Sequence, residues 1–148
     1  GVEGNILIPV AKGVSFNTNV TYMIQNKNKT TGEKLSVIPE YTINSTLDWQ
    51  VTEQVSLLAT FTRYGKQEPN TILWSNAVPT NAQLRTRDPY NIVGLNANFR
   101  INQNFRFGMG ISNVFDKRLF RESATNGQGA NNYNEPGRAF FVTTTASF

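Results

Sequence analysis

The chain has 148 residues, a formal net charge of +4, and neither cysteine nor histidine. These absences exclude a disulfide-stapled domain, a thiol nucleophile, a histidine-based catalytic triad and the usual zinc and haem sites. Hydrophobic residues make up 39% of the chain, and no apolar run approaches the roughly 20 residues of a transmembrane helix. The length predicts one domain, and the abundance of Thr, Val and Phe favours strands.

Period-two alternation of apolar and polar residues predicts seven strands. The first, residues 2–10, is the weakest, with Ile6 and Ile8 on one face. The second begins at Val14 and carries an almost wholly polar opposite face. The predicted strands after the first span about 14–25, 41–51, 55–62, 92–101, 105–112 and 140–148. Helical spacing does not persist anywhere in the chain.

Short and long connections alternate along the chain. The short ones are 11–13, 52–54 and 102–104, and the long ones are about 26–35, 65–88 and 122–137. Up-and-down antiparallel strands therefore have tight turns at one end and long loops at the other, as in an outer-membrane barrel with periplasmic turns and extracellular loops. The longest alternating runs, about 12 residues, exceed the 5–6 of a typical soluble strand, whereas a tilted membrane strand needs about 9–11. A soluble sheet protein is the less favoured alternative.

Seven is an odd number of strands, whereas single-chain bacterial barrels have an even number from about 8 upward. An open seven-stranded sheet would also leave two edges exposed to aggregation. Small polar residues such as Asn96, Asn98 and Gly108 on the inward face favour a wide interior over a tightly filled one. The chain therefore either contains one more strand or belongs to a larger barrel.

The end of the chain, GANNYNEPGRAFFVTTTASF (129–148), resembles the carboxyl terminus of the TonB-dependent outer-membrane siderophore receptors. The likeness continues through ISNVFDKRLFR (111–121), SVIPEYTINSTLDWQ (36–50) and GVEGNILIPV (1–10). The NYNEPGRAFF block is specific to the catecholate branch of the family, and SNVFDK is shared more widely.

This resemblance implies an all-β fold, an antiparallel up-and-down transmembrane β-barrel of 22 strands with an amino-terminal plug domain. Residues 1–148 would supply the last seven strands, without the plug. The implied function is that of an integral bacterial outer-membrane receptor and transporter, not an enzyme. It would take up a ferric siderophore, of the enterobactin-like catecholate class, with energy delivered through TonB. A passive porin or structural barrel is the alternative.

The resemblance also implies the partners. They are a ferric siderophore, TonB through the missing plug domain, outer-membrane lipid and lipopolysaccharide, and the barrel insertion machinery. Iron is cargo, and neither a cofactor nor a resident metal is expected. Because the basic residues are scattered over loops rather than set on one strand face with aromatics, no nucleic-acid partner is expected.

Positive charge concentrates at the long-loop end, with eleven basic and six acidic residues there against three basic and four acidic elsewhere. A basic mouth attracts and steers an anion. A ferric tris-catecholate is a bulky anion with aromatic rings, which Arg and aromatic side chains suit. The candidate ligand-binding residues are Arg63, Tyr64, Lys66, Trp74, Arg85, Arg87, Tyr133 and Arg138. Alternatively, the charges pair with lipopolysaccharide phosphates or with one another, and Trp74 anchors its loop.

The last strand predicts an assembly signal. Phe140, Val142, Thr144, Ala146 and Phe148 share one parity, so this row should face lipid and end on an aromatic residue. In this class of protein, such an ending resembles the signal read by the insertion machinery. The alternative is that Phe148 is a girdle residue with a packing role only.

Overall fold

The chain folds as an antiparallel sheet. The computed structural model describes residues 1–30, 32, 38–68, 88–120 and 133–147. Its strands are β1 Val2–Ala11, β2 Val14–Tyr22, β3 Tyr41–Gln50, β4 Val55–Tyr64, β5 Tyr90–Arg100, β6 Phe105–Ser112, β7 Leu119–Phe120, β8 Tyr133–Glu135 and β9 Ala139–Ala146. The described residues include no helix with the length and hydropathy that a membrane span would require.

Seven strands form one sheet in the order β1-β2-β3-β4-β5-β6-β9, and every neighbouring pair is antiparallel. Each long strand therefore pairs with the next long strand along the chain, which confirms the predicted up-and-down arrangement. The strand bounds differ slightly from the predictions. β2 ends at Tyr22 rather than at 25, β5 begins at Tyr90 rather than at 92, and β9 ends at Ala146 within the described residues. β1 and β9 are the edges of this sheet.

Tight turns close the sheet at one end, as predicted. At the β3–β4 turn, the Thr52 hydroxyl accepts hydrogen bonds from the backbone N–H groups of Gln54 and Val55, at 3.2 and 3.1 Å. At the β5–β6 turn, the Asn102 side chain accepts from the N–H groups of Asn104 and Phe105, both at 2.9 Å. Both turns are thus set by a short polar side chain that satisfies the backbone. Their periplasmic location stays a prediction.

One face of the sheet is apolar, because directly opposite residues share a face and the strand register aligns the apolar positions. Leu47 of β3 lies opposite Phe16 of β2 and Ala59 of β4. Among the polar groups on this face, the hydroxyls of Thr18 and Ser45 lie opposite each other and hydrogen-bond to each other at 2.9 Å. Mutual pairing removes the cost of placing hydroxyl groups in apolar surroundings.

The opposite face is polar, and side chains of neighbouring strands pack tightly against its glycines. A Cβ on Gly94 would lie 2.6 Å from the Thr60 hydroxyl, and one on Gly110 would collide with the Phe141 ring and the Asn96 side chain. These glycines therefore make room for larger neighbours on the same face. Near the tight turns, two arginines of the polar face, Arg100 and Arg106, lie directly opposite each other.

The apolar face has no covering layer among the described residues. The one buried large hydrophobic side chain in that part of the chain is Tyr90, at 7% exposure. By contrast, Leu95, Met109 and Val142 of the apolar face are 48%, 45% and 67% exposed. A contiguous apolar surface of this extent requires an apolar environment. The sheet therefore supports the predicted barrel wall with lipid on one side and a polar lumen on the other.

A second, two-stranded sheet of β7 and β8 stands apart from the large one. Residues 133–135 were predicted to lie within a connection, so this strand was missed. The two strands have two and three residues, which is too short for alternation to reveal them. In chain order, β7 and β8 lie between β6 and β9.

Candidate functional site

Two stacked tyrosines mark the polar face at the long-loop end of the sheet. Tyr64, the last residue of β4, lies opposite Tyr90, the first residue of β5. Their ring centroids are 4.8 Å apart with planes inclined by 30°. Tyr64 continues the parity of Thr62 and lies on the polar face, the face that was predicted to line the lumen. One face of its ring is already occupied by Tyr90.

The tyrosine pair is tied to two connecting segments. The Tyr90 hydroxyl donates a hydrogen bond to the Glu135 carboxylate at 3.1 Å, and Gln67, which is 6% exposed, also hydrogen-bonds to that hydroxyl. We call Tyr64, Gln67, Tyr90 and Glu135 the rim cluster. It joins the start of the β4–β5 connection to β8 across the top of the polar face. Sequence reasoning missed Gln67, Tyr90 and Glu135, because only the register brings them together.

The SNVFDK block forms the base of the connection that follows β6. Asn113 is 4% exposed and has a φ of 50°, in the left-handed region that Asn tolerates. Its side chain accepts from the Lys117 N–H at 2.9 Å and donates to the Lys117 carbonyl at 2.7 Å and the Pro136 carbonyl at 3.4 Å. One side chain therefore folds the turn and holds it to the returning chain.

A second residue of this block, Asp116, contacts the NEPGR segment. Its carboxylate accepts from the backbone N–H of Arg138 at 2.7 Å and from the Arg118 guanidinium at 3.2 Å. These contacts, the Arg138 N–H first, lower the pKa of Asp116 below its ordinary value. The contact therefore contributes stability above the ordinary carboxyl pKa, and that contribution is lost as pH falls through the lower folded value. A Cβ on Gly137 would collide with the Asp116 side chain. The close contact between the SNVFDK and NEPGR segments therefore requires glycine at this position.

Arg63 lies on the other face of the sheet from Tyr64. The register places it opposite Ile43 of β3 and Asn91 of β5, on the apolar side. Its guanidinium donates to the Tyr41 hydroxyl at 3.1 Å and to the Asn91 side-chain oxygen at 2.9 Å. The structure therefore separates Arg63 from the inward candidates, and its predicted ligand role stays a prediction.

The remaining ligand candidates are only partly described. Lys66 forms an ion pair with Glu68 at 3.6 Å, and the side chain of Arg138 is exposed. Tyr133 is described only as a backbone position of β8. Trp74, Arg85 and Arg87 lie outside the described residues. Contact of these side chains with a ligand stays a prediction.

The predicted assembly row lies on the apolar face. Phe140 pairs with Ile111 and Val142 with Met109, and Thr144 and Ala146 continue the row opposite Phe107 and Phe105. Phe140 is 75% exposed, as a residue without a covering layer should be. Phe148 lies outside the described residues, and the signal role stays a prediction. No cluster of acidic residues able to hold a metal ion occurs within the described ranges.

Comparison with known proteins identifies the family. A family model described as the TonB-dependent receptor-like β-barrel matches residues 1–114. The ferric enterobactin receptor of Pseudomonas aeruginosa is 46% identical over the whole chain, and the ferrienterobactin receptor of Escherichia coli K12 is 40% identical over the whole chain. In both cases the chain spans 21% of the relative's length.

Solved structures agree with this assignment. A crystal structure of a variant of the P. aeruginosa ferric enterobactin receptor in complex with enterobactin matches 99% of this chain with a TM-score of 0.85 and 46% identity. The match covers 22% of that receptor. The two-faced antiparallel sheet, the alternation of turn lengths and the family model lead to one conclusion: the chain belongs to the TonB-dependent receptor β-barrel family.

Proposed function

We propose that this chain forms the carboxyl-terminal seven strands of an outer-membrane receptor that takes up a ferric siderophore of the enterobactin-like catecholate class. The observation that carries the proposal is the identity of 46% across all 148 residues to a ferric enterobactin receptor. The barrel of 22 strands, the plug domain and energy delivery through TonB belong to the same proposal. Iron enters only as cargo, and the chain performs no enzymatic chemistry.

The two faces of the sheet support the location. The apolar face would contact outer-membrane lipid, and the polar face would line the lumen. Among the described residues, edge strands β1 and β9 have no strand partner on their outer sides, and backbone groups there cannot remain unsatisfied in a bilayer. Strands from the rest of a barrel would pair with them.

The long-loop end supports capture of an anion. The surplus of positive charge lies there, and association of a charged ligand with such a surface depends on ionic strength. Arg85 and Arg87 are the candidates that we expect to contribute most, because a guanidinium suits both negative charge and an aromatic ring face. The rim cluster is internally hydrogen-bonded, so we assign it the role of anchoring the connections from which it is built.

The test uses a full-length receptor carrying these residues, expressed in cells that lack other catecholate receptors. Surface binding of a radiolabelled ferric catecholate should survive a protonophore, whereas uptake should stop. Replacing Arg85 and Arg87 together with Gln should weaken surface binding about tenfold at low salt and reduce its salt dependence. The matched control replaces Arg100 and Arg106 with Gln, the same charge change at the tight-turn end, and should bind at the parental level.

Two results would contradict the proposal. Uptake that continues at the parental rate with the proton motive force collapsed would indicate a passive pore. If the folded parent receptor does not bind the ferric catecholate at the cell surface, the assignment to the catecholate class is wrong. Equal low-salt affinity of parent and Arg85/Arg87 variant would remove only these two residues from the site.

A further inference from the structure

Burial in the described part of the chain is concentrated at the long-loop end of the sheet. Apart from glycines, the buried residues there are Gln67, Tyr90 and Asn113, which are 6%, 7% and 4% exposed. Each lies at the end of a strand or within a few residues of one, on the side away from the tight turns. Within the described ranges, this end of the sheet therefore has a small core of its own, whereas the faces of the long strands are open.

Strand pairing continues beyond β2, β3 and β4 into two of the long connections. The Met23 N–H donates to the Glu40 carbonyl at 2.9 Å, and the Glu40 N–H donates to the Lys66 carbonyl at 3.0 Å. The Gly65 N–H donates to the Tyr41 carbonyl at 2.8 Å. These bonds keep the register of the β2–β3 and β3–β4 pairs. The two ends of the β2–β3 connection are therefore bonded to each other and to the start of the β4–β5 connection.

Tyr90 links this extended ladder to the third long connection. Gln67, the residue after Lys66, hydrogen-bonds to the Tyr90 hydroxyl. That hydroxyl donates to the Glu135 carboxylate at 3.1 Å. The Tyr90 ring also stacks on Tyr64, with centroids 4.8 Å apart. One side chain therefore contacts the end of β4, the β4–β5 connection and, through Glu135, strand β8 in the connection between β6 and β9.

We propose that these contacts form one cooperative unit, in which Tyr90 couples the bases of the three long connections so that they lose or keep their protection from solvent together. We call this unit the rim belt. It consists of the backbone bonds of Met23, Glu40, Gly65 and Lys66 together with the rim cluster. The coupling goes beyond anchoring, because anchored connections could still open one at a time. Only its response to a siderophore rests on the proposed function.

The coupling follows from the position of the Tyr90 hydroxyl. Because this buried hydroxyl has a partner in each of two connections, the opening of either connection leaves a buried polar group unsatisfied. Such a group costs more than an ordinary hydrogen bond gains, so opening of the whole cluster is favoured over opening of one part. The adjacent ladder bonds then lose the residues that hold them in register. Local opening in proteins occurs in contiguous units of this kind.

Hydrogen exchange on a full-length receptor in nanodiscs, without siderophore, tests the coupling. The reporters are the amides of Met23, Glu40 and Gly65, which are hydrogen-bonded in the ladder and not to Tyr90. Tyr90→Phe removes the hydroxyl and keeps the stacked ring. All three amides should exchange about tenfold faster, and by the same factor, because they share one opening. Mass spectrometry with fragmentation to single residues measures the rates.

The matched control is Tyr41→Phe, which removes the same hydroxyl from the first residue of β3, on the apolar face. That hydroxyl accepts a hydrogen bond from Arg63 and not from the rim cluster, so the reporter amides should exchange at the parental rate. Glu135→Ala should match Tyr90→Phe, and the double variant should be no faster than either single variant. Glu135→Gln keeps an acceptor and should be intermediate. Every variant is compared as a folded, heat-modifiable barrel.

A ligand bound to one connection should report the same unit. In the parent receptor, saturating ferric catecholate should slow exchange of all three reporter amides by a common factor, since a ligand that binds only the protected state stabilises all of it. In Tyr90→Phe, the slowing should be confined to the connection that the ligand contacts.

Two results would overturn the inference. Parental exchange at Met23 and Glu40 in Tyr90→Phe, with faster exchange only beside residues 90 and 135, would mean that the connections open independently. Equal acceleration in Tyr41→Phe would mean that loss of any hydroxyl at this level loosens the sheet. If the variants behave as expected but ferric catecholate slows no amide in the parent, the coupling stands and the catecholate assignment fails.

Discussion

Deletion of Phe148 from a full-length receptor should reduce the amount in the outer membrane to a small fraction of the parental level. The reason is that the row ending at Phe148 is proposed to be read by the insertion machinery before the barrel has folded. Unassembled chain should collect in the periplasm. The few molecules that insert should keep near-normal heat resistance on gels, because the folded barrel loses one rim side chain only.

A girdle role for Phe148 predicts a different pattern. Loss of one aromatic at the membrane interface should cost on the order of 1–3 kcal/mol, which a large barrel tolerates. Trp49→Ala provides the matched control, since Trp49 is 46% exposed on the apolar face beside a tight turn but is not terminal. If the Phe148 deletion assembles at the parental level, the signal role is wrong. If it assembles normally but melts early, like Trp49→Ala, the girdle role is right.

Asn113→Ala should open the base of the connection after β6. The change removes three hydrogen bonds to Lys117 and Pro136 backbone groups and puts a residue with a Cβ but no polar group at a φ of 50°. We expect a local loss of about 3 kcal/mol, or about a hundredfold faster amide exchange in this turn. Hydrogen exchange followed by mass spectrometry over residues 112–118 measures it.

Two further substitutions at Asn113 and one at the preceding residue separate the possible causes of this effect. Gly tolerates the positive φ, so the cost of Asn113→Gly reports the lost side-chain bonds and the greater backbone freedom of Gly, without strain from the φ. Asn113→Asp keeps the acceptor for the Lys117 N–H and loses the donor, and should be intermediate. Ser112→Ala, at the exposed preceding residue, should exchange like the parent. Parental exchange rates in Asn113→Ala would show that the SNVFDK turn does not depend on this side chain.

The seven long strands were predictable because alternation reports directly on a sheet with lipid on one side and polar surroundings on the other. Errors in their bounds amounted to a few residues, as at Tyr22 and Tyr90, where the alternating pattern runs into a connection or begins late. The short strand Tyr133–Glu135 was missed for a physical reason. Three residues are too few to distinguish a period of two from chance. In addition, β8 pairs with β7 outside the main sheet.

The candidate site was predictable only in part. The alternation of side chains along β4 correctly placed Tyr64 on the polar face. The same alternation puts the adjacent Arg63 on the apolar face. Arg63 was nevertheless chosen as a ligand candidate, because the count of charges at the long-loop end ignores which face each residue occupies. The partners of Tyr64 depend on register between strands that are distant in sequence, so Tyr90 and Glu135 could not be identified from the chain alone. Asn113 was within a recognised motif, but its role required the positive φ and the bonds to Lys117.

Site-directed spin labelling of β5 tests the central claim, that one face of this sheet meets lipid and the other a polar lumen. Single cysteines at 95, 96, 97 and 98 are easily interpreted, because this chain has no cysteine of its own. In a full-length receptor in lipid bilayers, labels replacing Leu95 and Ala97 should be relaxed mainly by oxygen, which partitions into lipid. Labels replacing Asn96 and Asn98 should be relaxed mainly by a water-soluble nickel chelate. Equal accessibility at all four positions, or the opposite alternation, would contradict the account.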